Sequence, residues 1–234
     1  MTRRLAIIGD GKMGRAVRTL AEDGGWNVVA FIGERESAGG LSADKFGGAD
    51  VAVEFTEPGA AVANVEACVR ARVPVVVGTT GWYDQLPRLT KTVEQTGGAL
   101  LWSPNFSVGI NLMLHLVREA GALMKGLDGF DAHLVETHHT KKKDAPSGTA
   151  IALGKAVAAG LGHDLPITSI RTGSVPGTHE LIFDAAFEQL SITHVARDRR
   201  VFAEGALHAA EWLIGKKGVF TMADVLAPAS APKK

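Results

Sequence analysis

At 234 residues the chain exceeds the roughly 100–200 residues of a typical domain, so one large domain or two small ones both fit. Lys plus Arg and Asp plus Glu number 25 each, so there is no bulk field to draw in nucleic acid or an anionic membrane, and any attraction for anions must be local. The one cysteine, Cys68, excludes an intrachain disulfide. With no secretory-type N-terminus the cytoplasm is the expected compartment, and the longest apolar runs fall well short of the roughly 20 residues that cross a bilayer.

The chain opens with an apolar strand at 5–9, an amphipathic helix at 13–23 and a second strand at 27–32, a βαβ beginning. The alternation continues with a strand at 51–55, a helix at 60–71, a strand at 73–78, a helix at 83–95 and a strand at 99–102. These strands are continuously apolar, as buried parallel strands are. The texture then changes. Residues 111–124 carry apolar side chains at helical spacing, 130–137 alternate with a period of two, and Ser147 is placed to cap a helix that runs to 161. Strands at 169–173, 180–186 and 190–196 predict an antiparallel or mixed sheet. A helix at 201–214 and a short element at 219–225 complete the fold, and the Pro, Ala, Ser and Lys tail from 227 to 234 is expected to lack structure. The expected class is α/β: a Rossmann-type parallel-sheet domain with an inserted α+β domain.

Gly9, Gly11 and Gly14 match the GxGxxG turn between a strand and a helix. The first glycine permits the bend, the second lets backbone approach a pyrophosphate and the third lets helix and strand pack closely. Glu34 follows Gly14 by 34 − 14 = 20 residues, the usual interval of about 20 to the acid that binds a ribose hydroxyl. Arg35 beside it and Lys12 inside the turn could neutralise a 2′-phosphate, so NADH and NADPH are both expected, while Arg35 reads equally as a solvated loop residue. Gly78-Thr-Thr-Gly81 follows a buried strand and is either a nicotinamide-binding loop or a plain turn.

The second candidate site is Glu136-Thr-His-His-Thr-Lys-Lys-Lys-Asp-Ala-Pro-Ser-Gly-Thr149. On a strand, Ala132, Leu134, Glu136 and His138 share one face, and His133, Val135 and Thr137 share the other. An imidazole gives or takes a proton near neutral pH. Of Lys141, Lys142 and Lys143, two are expected in solvent and one drawn inward, where it would clamp a carboxylate together with the N–H groups that open the next helix. Zinc on His133, His138 and His139 is disfavoured, because alternation separates them and no cysteine lies nearby.

The stretch from Glu136 to Ala150 matches the signature E-x-H-H-x-x-K-x-D-A-P-S-G-T-A at every fixed position, and the chain resembles the 4-hydroxy-tetrahydrodipicolinate (dihydrodipicolinate) reductase family. Phe55-Thr56, Gly78-Thr-Thr-Gly81, Asn105-Phe-Ser-Val-Gly109, Ile192-Thr-His194 and Gly205-Ala-Leu207 carry the resemblance almost end to end. The segment from Arg171 to His179 departs from the family's Gly-Asp-x-x-Gly-Glu-His pattern.

The resemblance implies NAD(P)H-dependent reduction of 4-hydroxy-tetrahydrodipicolinate in the diaminopimelate route to lysine. It implies His138 as acid/base with Lys142 as its partner, and substrate carboxylates at His139, Gly148 and Thr149. Cofactor contacts are implied at or near Gly9, Met13, Glu34, Gly78, Thr80 and Phe106. It further implies a dinucleotide domain of residues 1–107 and 212–234, a substrate domain of 108–211, and a homotetramer built through the substrate-domain sheets. The alternatives are a reductase for a different imine or carbonyl acid, and a dinucleotide sensor without chemistry.

Overall fold

The computed structural model describes residues 2–37 and 39–227; the tail expected to lack structure falls outside them from position 228 onward. By contact the chain divides into two compact units, 1–107 joined by 202–234, and 108–201. Within the first unit, Gly205 of helix α7 (Arg200–Leu213) lies where a Cβ would overlap the carbonyl oxygen of Phe106.

Among its described residues the first unit holds a six-stranded parallel sheet. Its elements are β1 (Arg4–Ile8), α1 (Lys12–Asp23), β2 (Asn27–Ile32), α2 (Glu34–Ser37), β3 (Val51–Glu54), α3 (Pro58–Arg70), β4 (Val75–Val77), α4 (Leu86–Thr96), β5 (Ala99–Trp102) and β10 (Gly218–Phe220). The order is β10-β5-β4-β3-β1-β2. The strands β2 and β3 flank β1, which makes the carboxyl ends of β1 and β3 the topological switch point where such sheets bind ligands. The runs in β1, β3 and β4 are almost wholly buried, the burial a sheet with helices on both faces demands. In α1 the residues Gly14, Val17 and Ala21 recur at helical spacing and form its buried face. Pro58 starts α3 at a position whose N–H has no helical partner, and Gly97 ends α4 in the left-handed region at φ +65°.

The expected helix at 83–95 begins as a 3-10 turn at Tyr83–Gln85 and becomes α-helical at Leu86. The short element at 219–225 is two elements, β10 and α8 (Met222–Leu226). Asp224 Oδ2 accepts from both the N–H and the hydroxyl of Thr221, at 2.7 and 2.9 Å, and so starts a helix there.

The second unit packs α5 (Val108–Met124) and α6 (Gly148–Leu161) against one face of a mixed four-stranded sheet, ordered β7-β6-β8-β9 among the described residues. The strands are β6 (Asp131–His138), β7 (Ile167–Arg171), β8 (Thr178–Asp184) and β9 (Gln189–Val195). The strand β7 runs parallel to β6 through the α6 crossover, and β8 and β9 are antiparallel. The strand expected at 169–173 ends earlier, since Thr172 N–H and the Gly173 carbonyl bond the backbone of His138 and Thr140 in a turn. Leu134, Leu181 and Phe183 face the helices with Met113, Val117, Leu153 and Val157. The two helices touch closely at Gly121 and Gly160, where any Cβ would strike the backbone of the other helix. The opposite sheet face carries Val135, Ile170, Ile182 and Val195 among threonines; Ile170 and Val195 are 43% and 58% exposed.

Candidate active site

In the first unit the turn after β1 is shaped by two backbone contacts. Gly9, at φ +107°, packs so that a Cβ would overlap the Phe55 carbonyl oxygen, and a Cβ at Gly14 would overlap the Gly9 carbonyl oxygen. Gly9 N–H bonds the Ile32 carbonyl at 2.8 Å, and Phe55 N–H bonds Ile8 at 2.8 Å, which fixes the loops after β1 and β3 to the sheet. A pocket of about 450 Å³ opens there, lined by Gly11, Lys12, Met13, Thr56, Gly78 and Thr80 among others. Gly11 caps α1 without a side chain, and nothing would meet a Cβ there, so backbone N–H groups at the helix start are open to an anion. The Thr79 hydroxyl accepts from Thr56 N–H at 2.7 Å, and its carbonyl accepts from Trp82 Nε1 at 2.7 Å, joining the loops after β3 and β4. Beneath them lies fully buried Glu54, bonded by the Thr56 hydroxyl and by Asn64 at 3.3 Å. Burial raises its pKa despite those bonds.

Five expected cofactor residues, Gly11, Lys12, Met13, Gly78 and Thr80, meet in this pocket. Gly9 and Gly14 form the turn behind it. Phe106 is buried and stands edge-on to Phe55, a lining residue, with ring centroids 6.1 Å apart. Glu34 and Arg35 are exposed at the start of α2, outside the lining. The flat, glycine-shaped turn with open helix amides fits a dinucleotide pyrophosphate.

In the second unit, burial along β6 alternates as its pattern requires, with Leu134, Glu136 and His138 buried. Glu136 has no exposed surface, and both its oxygens are engaged: one with His138 Nδ1, the other with Arg171 at 2.6 Å and with Ser147 N–H at 3.3 Å. Burial by itself would raise this carboxyl, but Arg171, Ser169 and His138 outweigh it and bring it to about 2. His138 is lowered from the ordinary histidine value, first by burial and further by Lys142 and Arg171, with Glu136 opposing. The ring of His179 meets it edge-on at 5.2 Å, and burial, then the neighbouring His138, lowers His179 to about 4.

Lys142 is half-buried and pairs with Asp144 at 2.9 Å, while Lys141 and Lys143 are exposed, which is the division expected of the lysine run. Ser147 caps α6 by accepting from Ala150 N–H at 3.1 Å. Gly148 and Thr149 follow as the first helical residues. Arg199 lies 3.1 Å from His139 Nε2, and His139 Nδ1 is buried with no partner among the described residues.

Glu136, His138 and His179 offer metal-type donor atoms within 4.8 Å of one another, but the Glu136 oxygens are committed to Arg171 and His138, so a cation already occupies a metal's place. His133 turns to the other sheet face and bonds Thr168 at 2.7 Å. Sequence reasoning missed Arg171, His179 and Arg199, which come from distant positions in the chain.

The chain matches the family models for the dihydrodipicolinate reductase N-terminus over residues 3–106 and C-terminus over 109–226. It is 32% identical to the 4-hydroxy-tetrahydrodipicolinate reductase of Christiangramia forsetii over 95% of this chain and 97% of that one. It is 35% identical to the enzyme of the same name from Thiobacillus denitrificans over 97% and 99%. In fold it is similar to a dipicolinate-bound dihydrodipicolinate reductase from a Paenisporosarcina species, with a TM-score of 0.78, 22% identity and coverage of 97% and 100%.

Proposed function

The chain belongs to the dihydrodipicolinate reductase family and reduces 4-hydroxy-tetrahydrodipicolinate to tetrahydrodipicolinate with NADH or NADPH, and on that premise we propose that His138 is the proton donor and Lys142 the cation beside the substrate. The reaction belongs to diaminopimelate and lysine biosynthesis. When bound, the reduced nicotinamide supplies a hydride to C4 of the unsaturated ring formed by loss of water. The protein must then deliver a proton to C3 of the resulting enamine. His138 suits that step, because a buried imidazole held at Nδ1 by a carboxylate presents Nε2 as its exchangeable position. This arrangement is the observation that carries the reading.

Lys142, His139 and the α6 start at Gly148 and Thr149 hold the substrate carboxylates, and positive charge there offsets the negative charge that arrives with hydride. Gly9, Gly11, Lys12, Met13, Gly14, Gly78 and Thr80 hold the dinucleotide, with Phe106 behind Phe55. Glu34 serves the ribose hydroxyl and Arg35 the 2′-phosphate, which makes the enzyme tolerant of both nucleotides. The first unit is the dinucleotide domain and the second the substrate domain.

The exposed Ile170 and Val195, on the sheet face opposite the helices, support assembly through that face into a homotetramer. Light scattering checks this; Val195→Asp should yield smaller species, and a wild-type monomer would overturn it. A cytoplasmic enzyme fits the free, buried thiol of Cys68, and cell fractionation checks that placement.

The test of function is an absorbance assay in which the preceding synthase generates substrate from pyruvate and aspartate semialdehyde. Prompt oxidation of NADH or NADPH is the expected result. Nucleotide binding without oxidation would overturn the reading in favour of a sensor, and activity confined to other acids in favour of a different reductase.

A further inference from the structure

The contacts of Glu136 fix more than its own charge. A buried carboxylate that is ionised can only accept, so the proton between it and His138 belongs to Nδ1, and the proton that exchanges is on Nε2. Free histidine has no such constraint. Arg171 keeps the carboxylate ionised at 2.6 Å and is itself fixed by donating to the Asp144 carbonyl at 2.6 Å and the Ile170 carbonyl at 2.8 Å. Room at Nε2 is provided from β8's leading turn: a Cβ at Gly177 would come within 3.0 Å of that nitrogen, and glycine leaves it clear.

We propose that Glu136 and Arg171 are positioning residues for proton transfer, Glu136 by fixing the Nδ1–H tautomer and Arg171 by anchoring the carboxylate in place and opposing its charge at the ring. This rests on His138 being the donor. The charged ring releases the Nε2 proton to C3 as the enamine electron pair forms the C–H bond. The ring is left neutral with hydrogen still on Nδ1, and water returns a proton to Nε2. The charged and titratable groups facing the ring are Glu136 on its own strand, Arg171 from β7, Lys142 with its partner Asp144 from the loop, and His179 from β8. His179 stays neutral and Lys142 is offset by its partner Asp144, so the balance lies chiefly between Glu136 and Arg171.

The two positioning residues act on the ring with opposite sign, and a purely structural role would not reproduce that. Nitrogen NMR of the histidine-labelled full chain reads tautomer and titration without substrate, and the pH profile of kcat reads the same group in turnover. The wild-type neutral ring should carry its proton on Nδ1. In Glu136→Gln the titration and the alkaline limb of kcat should move about 1 pH unit lower, with kcat down at least about tenfold and NADH affinity unchanged. In Arg171→Met both should move higher, because a cation facing the imidazolium is lost. A wild-type neutral ring protonated on Nε2, or the same displacement in both variants, would overturn the positioning role and leave the donor assignment standing. The wild-type tautomer needs no variant to fold. Undiminished turnover in His138→Gln would instead overturn the reading on which the role depends.

Discussion

In the first unit the candidate site is made of backbone, while in the second it is made of charge. Gly9 and Gly14 create the dinucleotide turn by having no side chain where neighbouring carbonyls press in, and the helix amides open to the pocket do not titrate. Around His138 the reverse holds: Glu136, Arg171, Lys142 and His179 come from three strands and a loop, and all four act through charged or titratable side chains. The first site should therefore be sensitive chiefly to steric volume, and the second to pH and to single charges.

The largest effect should come from the charged site. His138→Gln should lower kcat by about 10²- to 10⁴-fold with NADH affinity nearly unchanged, measured by steady-state kinetics and fluorescence titration. Turnover near wild type would break the comparison at its centre. Gly9→Ala should lower the unfolding free energy by about 2–3 kcal/mol and abolish NADH binding, since it sets a side chain at φ +107° into the Phe55 carbonyl. Intact nucleotide affinity in that variant would show that the turn is not shaped by volume.

His179 gives the comparison a pH axis. Its folded value of about 4 lies below its ordinary 6.5, so between the two the unfolded chain binds more protons. Its contribution is full above pH 6.5 and is lost as pH falls toward 4, which amounts to about 2 kcal/mol between roughly pH 7.5 and pH 5. Glu136 adds a loss of the same sign at lower pH, between its ordinary 4.5 and about 2. Urea midpoints should fall on acidification in the wild type and fall less in His179→Gln; equal slopes would remove His179 from the account.

Smaller effects sharpen the contrast. Lys142→Ala should raise KM for substrate about tenfold and leave KM for NADH alone. Arg35→Ala, at an exposed position, should raise KM for NADPH about threefold and spare NADH.

Much of both sites was legible before the fold was known. GxGxxG is legible because strand, turn and helix are local and each glycine answers a steric demand a few residues away. The pairing of Glu136 with His138 followed from strand alternation, and the Ser147 cap from its position before an alanine-rich run. Arg171 was not legible, because it reaches Glu136 from 35 positions away through the β6–β7 register, and Arg199 reaches His139 from 60. The segment from Arg171 to His179, which reads as a departure from the family's pattern, delivers two of the closest neighbours of the proposed proton donor.

The sequence by itself determined the alternation of strands and helices, the glycine turn and the identity of the acid-bearing motif, since periodicity, capping and turn geometry act over a few residues. Tertiary structure alone decided which cation keeps Glu136 ionised, which arginine reaches His139 and how closely α5 and α6 approach. Those outcomes depend on the register of paired strands and on close helix contacts, and packing sets both across separations that no local pattern spans.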